Sequence, residues 1–278
     1  MNMHCTIPYT LGIKGCLLSL ERPQVMGILN VTQESFYAAS RTSSEEDIIC
    51  RAKAMIKNGA SILDIGGCST KPGLDPVSES EELRRLSAAL EAIRNEFPNA
   101  ILSVDTFRAS VAAHCVREYG VQIINDVYGG NADKRMFDTI ADLQVPYVLT
   151  YDGAPWGKLM YDIAERIQRL RLLGVNDIIV DPGFGFGKTL DENYYLMQHL
   201  EELHLFECPL LVGVSRKSMI YKHLGCTPEE ALNGTTALHT IALMKGAHIL
   251  RVHDVKAAIE AVKIVDKLKE TTLNTHNL

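Results

Sequence analysis

The sequence predicts an α/β fold, a closed (β/α)8 TIM barrel with an N-terminal hairpin. Two observations lead to this prediction: eight short apolar runs recur along the chain, and helix-like segments separate them. Alternating strands and helices form parallel sheets covered by helices, and continuously apolar strands are typical of a sheet with both faces buried. Eight repeats favour a closed barrel over an open doubly wound sheet.

Each predicted element has a local signal. The predicted strands are Val25–Val31, Ser61–Gly67, Ile101–Asp105, Gln122–Asn125, Tyr147–Tyr151, Ile178–Asp181, Leu210–Val214 and Ile249–Val252. The predicted helices are Ser44–Asn58, a helix from the capping box Ser78-Glu79-Ser80-Glu81 to about Phe97, Arg108–Tyr119, Lys134–Leu143, Ile163–Leu173, Glu192–Leu203, Pro228–Lys245 and Lys256–Thr271. Residues 1–24, with Gly12 and Gly15 between apolar stretches, are predicted to form a hairpin that plugs the bottom of the barrel.

Composition limits the organisation and the partners of the chain. An α/β barrel commonly reaches 278 residues as one domain, and no linker divides the sequence, so we expect a single domain over residues 1–278. The net charge of −6 argues against a general nucleic-acid or anionic-membrane binder. Seven scattered cysteines without a CxxC pair predict reduced thiols in a cytoplasmic protein. We find no signal-peptide pattern and no apolar run long enough to span a bilayer.

Polar residues stand where the predicted strands end, which is where barrel enzymes place their sites. Any one of them could instead cap the following helix, but seven such ends converging on one rim favour a ligand site. These positions are Asn30, Asp64, Asp105, Asn125, Asp181, the run Ser215-Arg216-Lys217-Ser218, and Arg251 with His253.

The residue types at this rim divide by chemistry. Aspartates and asparagines can read a heterocycle whose edge alternates donors and acceptors. Arg251, His253 and Lys217 suit phosphate oxygens, and Asn30 offers an oxygen to a hard cation such as Mg2+. The set therefore predicts a planar nitrogen heterocycle with an attached phosphate or diphosphate. A P-loop and a zinc motif are both missing from the sequence.

The segment Asp181-Pro-Gly-Phe-Gly-Phe-Gly-Lys188 combines a strand-end carboxylate, three glycines, two aromatics and a lysine. Glycine lets a backbone turn tightly and approach a ligand closely, so the segment is either a binding loop for a planar ligand or a tight strand-to-helix connection. Lys188 is either a solvated lysine or a brace for this loop.

Seven ordered motifs resemble those of dihydropteroate synthase, of the pterin-binding (β/α)8 family, over almost the whole chain. They are Met26-Gly-Ile-Leu-Asn-Val-Thr32, Asp64-Ile-Gly-Gly-Cys-Ser-Thr-Lys-Pro-Gly73, Ser103-Val-Asp-Thr106, Ile124-Asn-Asp126, Asp181 to Lys188, Ser215-Arg-Lys-Ser218 and Arg251-Val-His-Asp254.

The resemblance implies a single pterin-binding domain that joins 6-hydroxymethyl-7,8-dihydropterin diphosphate to p-aminobenzoate, releasing diphosphate and giving 7,8-dihydropteroate. It implies Mg2+ as cofactor, held at Asn30, small-molecule substrates as partners, and a homodimer. The implied catalytic residues are Asn30, Lys217, Arg251 and His253. The implied pterin-binding residues are Asp64, Asp105, Asn125, Asp181 and Lys217, and the diphosphate-binding ones are Asn30, Arg251 and His253. The implied p-aminobenzoate residues are Thr70, Lys71, Pro72, Phe186 and Ser218.

The departures from the family pattern lie mainly in loops. Thr32-Gln-Glu-Ser-Phe-Tyr-Ala-Ala-Ser40 replaces the usual Thr-Pro-Asp-Ser-Phe-Ser-Asp-Gly-Gly, Lys71 replaces an arginine, Cys68 replaces a glutamate, and Thr150-Tyr-Asp152 replaces Met-His-Met. These changes leave open a second hypothesis, a divergent paralogue that binds pterin diphosphate with little or no synthase activity. A pterin-dependent methyltransferase is a weaker third, because Arg251 and His253 are retained.

Overall fold

Eight parallel strands form the centre of the molecule. The computed structural model describes residues 9–13, 15–31, 41–68, 75–153 and 156–271. The chain begins with the antiparallel pair β1 (Thr10–Ile13) and β2 (Cys16–Ser19). The barrel strands are β3 (Gln24–Asn30), β4 (Ile62–Gly66), β5 (Ile101–Asp105), β6 (Ile123–Asp126), β7 (Tyr147–Thr150), β8 (Ile178–Asp181), β9 (Leu211–Val212) and β10 (Ile249–Val252). Their order in the sheet is β8-β7-β6-β5-β4-β3-β10-β9.

The two ends of this sheet meet and close the barrel. Val180 in β8 forms a parallel bridge with Leu210, and its backbone N–H donates to the Pro209 carbonyl at 2.8 Å. The predicted (β/α)8 fold is therefore confirmed. The interpretation of residues 1–278 as one domain stays a prediction.

Helices follow the barrel strands and cover the outside of the sheet. They are α1 (Arg41–Lys57), α2 (Glu79–Glu96), α3 (Ala109–Tyr119), α4 (Met136–Leu143), α5 (Trp156–Leu172), α6 (Leu190–Gln198), α7 (Ser218–Leu224), α8 (Leu232–Met244) and α9 (Val255–Glu270), with a 3-10 helix at Leu200–Phe206. Within the described ranges, no helix is long and apolar enough to cross a membrane.

The helices differ most from the sequence prediction at three places. Helix α5 begins at Trp156, seven residues before the predicted Ile163, because its first turns bury only Leu159 and so lack an apolar period. Helix α6 ends at Gln198 and the chain continues as 3-10 helix. Helix α7 was not predicted, since its seven residues are too few to show a periodic pattern.

Side chains alternate strictly between two cores along the barrel strands. Outward residues such as Leu29, Leu63 and Val180 pack against the helices. Inward residues form a separate apolar layer at the bottom of the barrel, made of Met26, Ile62, Ile123, Val148, Ile179, Leu211 and Ile249. Since successive strand residues point to opposite faces, the next inward position on each strand lies higher in the lumen.

The N-terminal hairpin closes the bottom of the barrel, as predicted. Leu11, Ile13 and Leu20 are buried against the inward apolar layer. The backbone N–H of Gly12 donates to Asp177 Oδ2 at 3.1 Å, which ties the hairpin to the segment that enters β8. The hairpin therefore shields the apolar layer from water.

Shortening a plug residue should destabilise the barrel. We expect Leu11→Ala to lower the free energy of unfolding by about 2–4 kcal/mol, because the buried side chain leaves a cavity. Leu17→Ala in the same hairpin is the matched control, with an expected change below about 0.5 kcal/mol, since Leu17 is 75% exposed. Urea unfolding followed by circular dichroism measures both, and equal effects would contradict the plug.

Candidate active site

A polar layer fills the barrel lumen directly above the apolar one. Asp64 on β4, Asn125 on β6 and Asp181 on β8 are all buried there. Each stands two residues after a member of the apolar layer, namely Ile62, Ile123 and Ile179. The strand period of two therefore places these predicted residues on the same inward face.

Arg251 bridges two carboxylates inside the lumen. Its Nε donates to Asp64 Oδ2 at 2.6 Å, and its Nη2 donates to Asp105 Oδ2 at 2.7 Å. Asn125 Nδ2 also donates to Asp64 Oδ2, at 3.1 Å. The structure thus joins two of the three predicted heterocycle carboxylates, Asp64 and Asp105, to Arg251, a predicted diphosphate residue.

Burial and charge act in opposite directions in this cluster. Burial raises the pKa of Asp105, the neighbouring charge of Asp64 adds to the rise, and the Arg251 guanidinium opposes it. Burial disfavours the cationic form of Arg251, yet the two carboxylates hold its pKa above the usual value. Arg251 is therefore charged at every physiological pH and offsets the carboxylates that it contacts.

Asp181 and Lys217 form the opposite wall of the site. Asp181 Oδ1 accepts from the backbone N–H of Gly183 at 2.8 Å. Burial raises the pKa of Asp181, against the opposing effect of Lys217. Burial also lowers the pKa of Lys217 to about 8. Its Nζ donates to the carbonyl of Phe184 and lies 4.7 Å from the centre of the Phe186 ring.

Lys188 braces the loop between β8 and α6. Its Nζ donates to the carbonyl oxygens of Gly183 at 2.9 Å, Phe186 at 3.2 Å and Tyr151 at 3.3 Å. An ammonium has three donors, so these contacts use its full capacity. Burial lowers its pKa to about 8. Of the two roles left open by the sequence, the structure supports the brace.

Gly183 shows how tightly this loop is held against the end of β7. Its φ of 71° is left-handed, and a Cβ added there would lie 1.8 Å from the Tyr151 carbonyl oxygen. A side chain at this position would therefore push apart the two segments that Lys188 connects. Glycine is required for both reasons.

A second ion pair fixes the turn that presents Lys217 and Ser218. Arg216 has a left-handed φ of 55° and makes a bidentate contact with Asp254, at 2.7 and 2.9 Å. Its Nη1 also donates to the carbonyls of Pro228 and Glu229. The sequence placed Arg216 at the rim, and the structure turns it away from the lumen to hold the loop.

His253 and Asn30 lie at the rim of the site. Ser215 Oγ lies 3.2 Å from both the backbone N and Nδ1 of His253. Partial burial, and then repulsion from Arg251, lower the pKa of His253 well below its usual value, so the ring is neutral near pH 7. Asn30 ends β3 and is exposed, and its Oδ1 lies over the open space that Gly66 leaves.

Among the five predicted p-aminobenzoate residues, the structure describes two. The Phe186 ring lies under the Lys217 ammonium, and Ser218 is the first residue of α7. Thr70, Lys71 and Pro72 lie outside the described residues, as do the altered segment 32–40 and most of the altered segment 68–73.

Two residues that face the barrel lumen were not among the candidate site residues identified from the sequence. Ser103 and Thr150 are buried, and both stand between neighbours that pack outward, such as Leu102 and Leu149. The signal that could have found them is the strand period counted from the apolar layer. The search for polar residues at strand ends selected mainly charged residues and amides, so these two hydroxyl residues were missed.

The fold and the polar layer define a class: a (β/α)8-barrel enzyme whose site lies at the carboxyl ends of the strands. The chain belongs to the pterin binding enzyme family, whose family model matches residues 26–253, and within it to the dihydropteroate synthases. It is 40% identical over 268 residues to the dihydropteroate synthase of Escherichia coli (strain K12), covering 91% of this chain and 94% of that protein.

Solved structures agree with this assignment. The Yersinia pestis dihydropteroate synthase in complex with a sulfonamide drug superimposes with a TM-score of 0.86 at 39% identity, over 95% of this chain and 100% of that one. The Xanthomonas albilineans dihydropteroate synthase with 4-aminobenzoic acid gives a TM-score of 0.88 at 35% identity, over 96% of this chain and 100% of that one.

The brace at Lys188 makes a testable prediction. We expect Lys188→Met to lower the free energy of unfolding by about 1–3 kcal/mol, because three carbonyl oxygens lose a shared donor. Lys158→Met, at an exposed position of α5, is the control with an expected change within about 0.5 kcal/mol. Thermal unfolding compares them; a Lys188→Met variant as stable as the control would rule out the brace.

Proposed function

We propose that this chain condenses 6-hydroxymethyl-7,8-dihydropterin diphosphate with p-aminobenzoate, giving 7,8-dihydropteroate and diphosphate in folate biosynthesis. The observation that carries the proposal is the buried polar layer, in which Asp64, Asp105, Asn125 and Asp181 share one lumen with Arg251. Carboxylates and an amide match the alternating donors and acceptors of a pterin edge. The membership in the dihydropteroate synthases supports the same reaction.

Arg251 can serve the heterocycle side and the diphosphate side together. A guanidinium carries five N–H donors, and the contacts with Asp64 and Asp105 use two of them. The remaining donors suit a bidentate contact with phosphate oxygens. Arg251 would therefore orient the two carboxylates while it binds the diphosphate.

The reaction that this site favours is dissociative. The bond between the pterin methylene carbon and the diphosphate oxygen breaks, and the diphosphate leaves with the electron pair. The amine of p-aminobenzoate then attacks the cationic methylene and loses one proton. Lys217, Arg251 and the N–H of neutral His253 stabilise the departing charge, while the carboxylates Asp105 and Asp181 stabilise the pterin cation. This route needs no side-chain nucleophile.

We propose that the Asn30 side chain and oxygen atoms of the substrate together bind Mg2+. Among the described residues, no group of three His, Cys, Asp or Glu side chains could hold a metal ion. The exposed amide oxygen of Asn30 is a hard ligand, and Mg2+ is typically bound through few protein ligands plus substrate phosphates. The donor set therefore fits an ion that arrives with the diphosphate, and the ion would supply charge neutralisation to the leaving group.

The p-aminobenzoate site is proposed at the rim, beside Phe186 and Ser218, with Thr70, Lys71 and Pro72 completing it. The Phe186 ring offers a flat wall next to the Lys217 ammonium. The Xanthomonas albilineans relative was solved with 4-aminobenzoic acid, which supports an arylamine as second substrate. A homodimer and a cytoplasmic location belong to the same proposal.

One assay tests the proposal against the divergent paralogue. The chain is incubated with pterin diphosphate, Mg2+ and p-aminobenzoate, and both dihydropteroate and diphosphate are measured, with an EDTA control for the metal. We expect turnover that EDTA abolishes. Pterin binding without product would favour the divergent paralogue. The relatives and solved structures that resemble this chain are dihydropteroate synthases, and none of them favours that hypothesis.

Asp181→Asn tests the heterocycle side of the site. The substitution replaces a charged acceptor by an amide that is half donor, so we expect pterin affinity to fall by roughly 1.5–3 kcal/mol. Isothermal titration with 6-hydroxymethylpterin measures the loss, and Asp191→Asn on the exposed start of α6 is the control. An unchanged dissociation constant would remove Asp181 from the pterin site.

The depressed pKa of Lys217 predicts a pH dependence. Lys217 loses its proton as pH rises through about 8, so the affinity for pterin diphosphate should fall above that pH, by up to about 25-fold between pH 7.5 and 9.5. Lys217→Gln should bind weakly and lack this fall. Lys188→Met is the control that should retain it, because Lys188 has a similar pKa of about 8. If Lys217→Gln kept the fall in affinity and Lys188→Met lost it, the group that titrates would be Lys188.

A further inference from the structure

Thr150, the last residue of β7, faces the barrel lumen. Two residues earlier, Val148 belongs to the inward apolar layer, whereas Tyr147 and Leu149 pack outward against the helices. The strand period therefore directs Thr150 inward. Only 1% of Thr150 is exposed, so its environment is the lumen wall and not the solvent.

The hydroxyl of Thr150 has no hydrogen-bond partner among the described residues. The same is true of two other buried polar atoms on this inward face, Asp64 Oδ1 and Ser103 Oγ. A buried polar group without a partner loses its hydration without compensation, and such groups are few in native structures. These three atoms share one lumen with the candidate site, where a bound ligand could supply the missing partners.

The position of Thr150 puts this hydroxyl next to Asp181. The two residues are paired in register on the neighbouring parallel strands β7 and β8, and such strands lie about 4.8 Å apart. The Thr150 methyl Cγ2 lies 3.4 Å from the place where a Cβ of Gly183 would be. The methyl thus faces the β8–α6 loop, while the strand period places the residue on the lumen side of β7.

We propose that Thr150 is a specificity-determining residue whose hydroxyl makes a hydrogen bond with the pterin ring, beside the ring atoms that Asp181 holds. The inference rests on the proposed function. A threonine hydroxyl can donate or accept, so it fits a ring nitrogen, carbonyl or amino group. A heterocycle with a C–H group at this point would leave the buried hydroxyl unpaired and bind less well.

Thr150→Val tests the inference, because it removes the hydroxyl and keeps the shape of the side chain. The dissociation constant for 6-hydroxymethylpterin is measured by isothermal titration, with wild-type protein in parallel. We expect it to rise about 3- to 10-fold, the range of one neutral hydrogen bond. Thr150→Ser keeps the hydroxyl and should bind within about twofold of wild type, whereas Thr150→Ala should match the valine variant.

Tyr9→Phe is the matched control. It removes another buried hydroxyl without a partner among the described residues, but at the bottom of the barrel, where Tyr9 packs beside the inward apolar layer. Its dissociation constant for 6-hydroxymethylpterin should equal that of wild type. The KM for p-aminobenzoate should be unchanged in both Thr150→Val and Tyr9→Phe.

The outcomes separate this inference from the function on which it rests. If wild type binds the pterin and Thr150→Val binds it equally well, the hydroxyl is only an unpaired core group and the inference is wrong. If wild type binds no pterin, the proposed function fails and the inference fails with it. Weaker binding by Thr150→Ser as well as Thr150→Val would attribute the effect to packing and also overturn the inference.

Discussion

The contact of Arg251 with Asp64 and Asp105 is the interaction on which the site depends. Three carboxylates in one barrel lumen would repel one another and lose their hydration. The Arg251 guanidinium contacts two of them at 2.6 and 2.7 Å, and its charge offsets this repulsion and the lost hydration. Removing one partner of such a buried pair leaves an uncompensated charge. The charge balance of the lumen and the stability of the upper barrel therefore depend on the same ion cluster.

The barrel separates stability from chemistry along its axis. At the bottom, the hairpin residues Leu11, Ile13 and Leu20 complete an apolar layer, and at the top the strands carry polar side chains. Rigid elements hold these groups in place, because the Lys188 ammonium ties the β8–α6 loop to the end of β7. Preorganised donors and acceptors of this kind lower the barrier to charge separation without reorganising during the reaction.

Much of the fold followed from local patterns, and the exceptions have local causes. Continuous apolar runs revealed all the barrel strands, and the end of each run identified residues such as Asp181 and Arg251. The start of α5 was missed because its first turns bury only Leu159, and α7 was missed because its seven residues are too few to show an apolar period. Arg216 was placed correctly at the rim, but its bidentate contact with Asp254 turns it into a support for the loop.

The sequence by itself determined the strand ends, the residue types that meet there and the family motifs, because these depend on a local period and on order along the chain. Only the tertiary structure decided that Arg251 contacts Asp64 across 187 residues, that Lys188 binds the Tyr151 carbonyl, and that the buried hydroxyl of Thr150 has no hydrogen-bond partner among the described residues. Barrel closure brings these groups together, and a contact between residues far apart along the chain does not follow from a local sequence period.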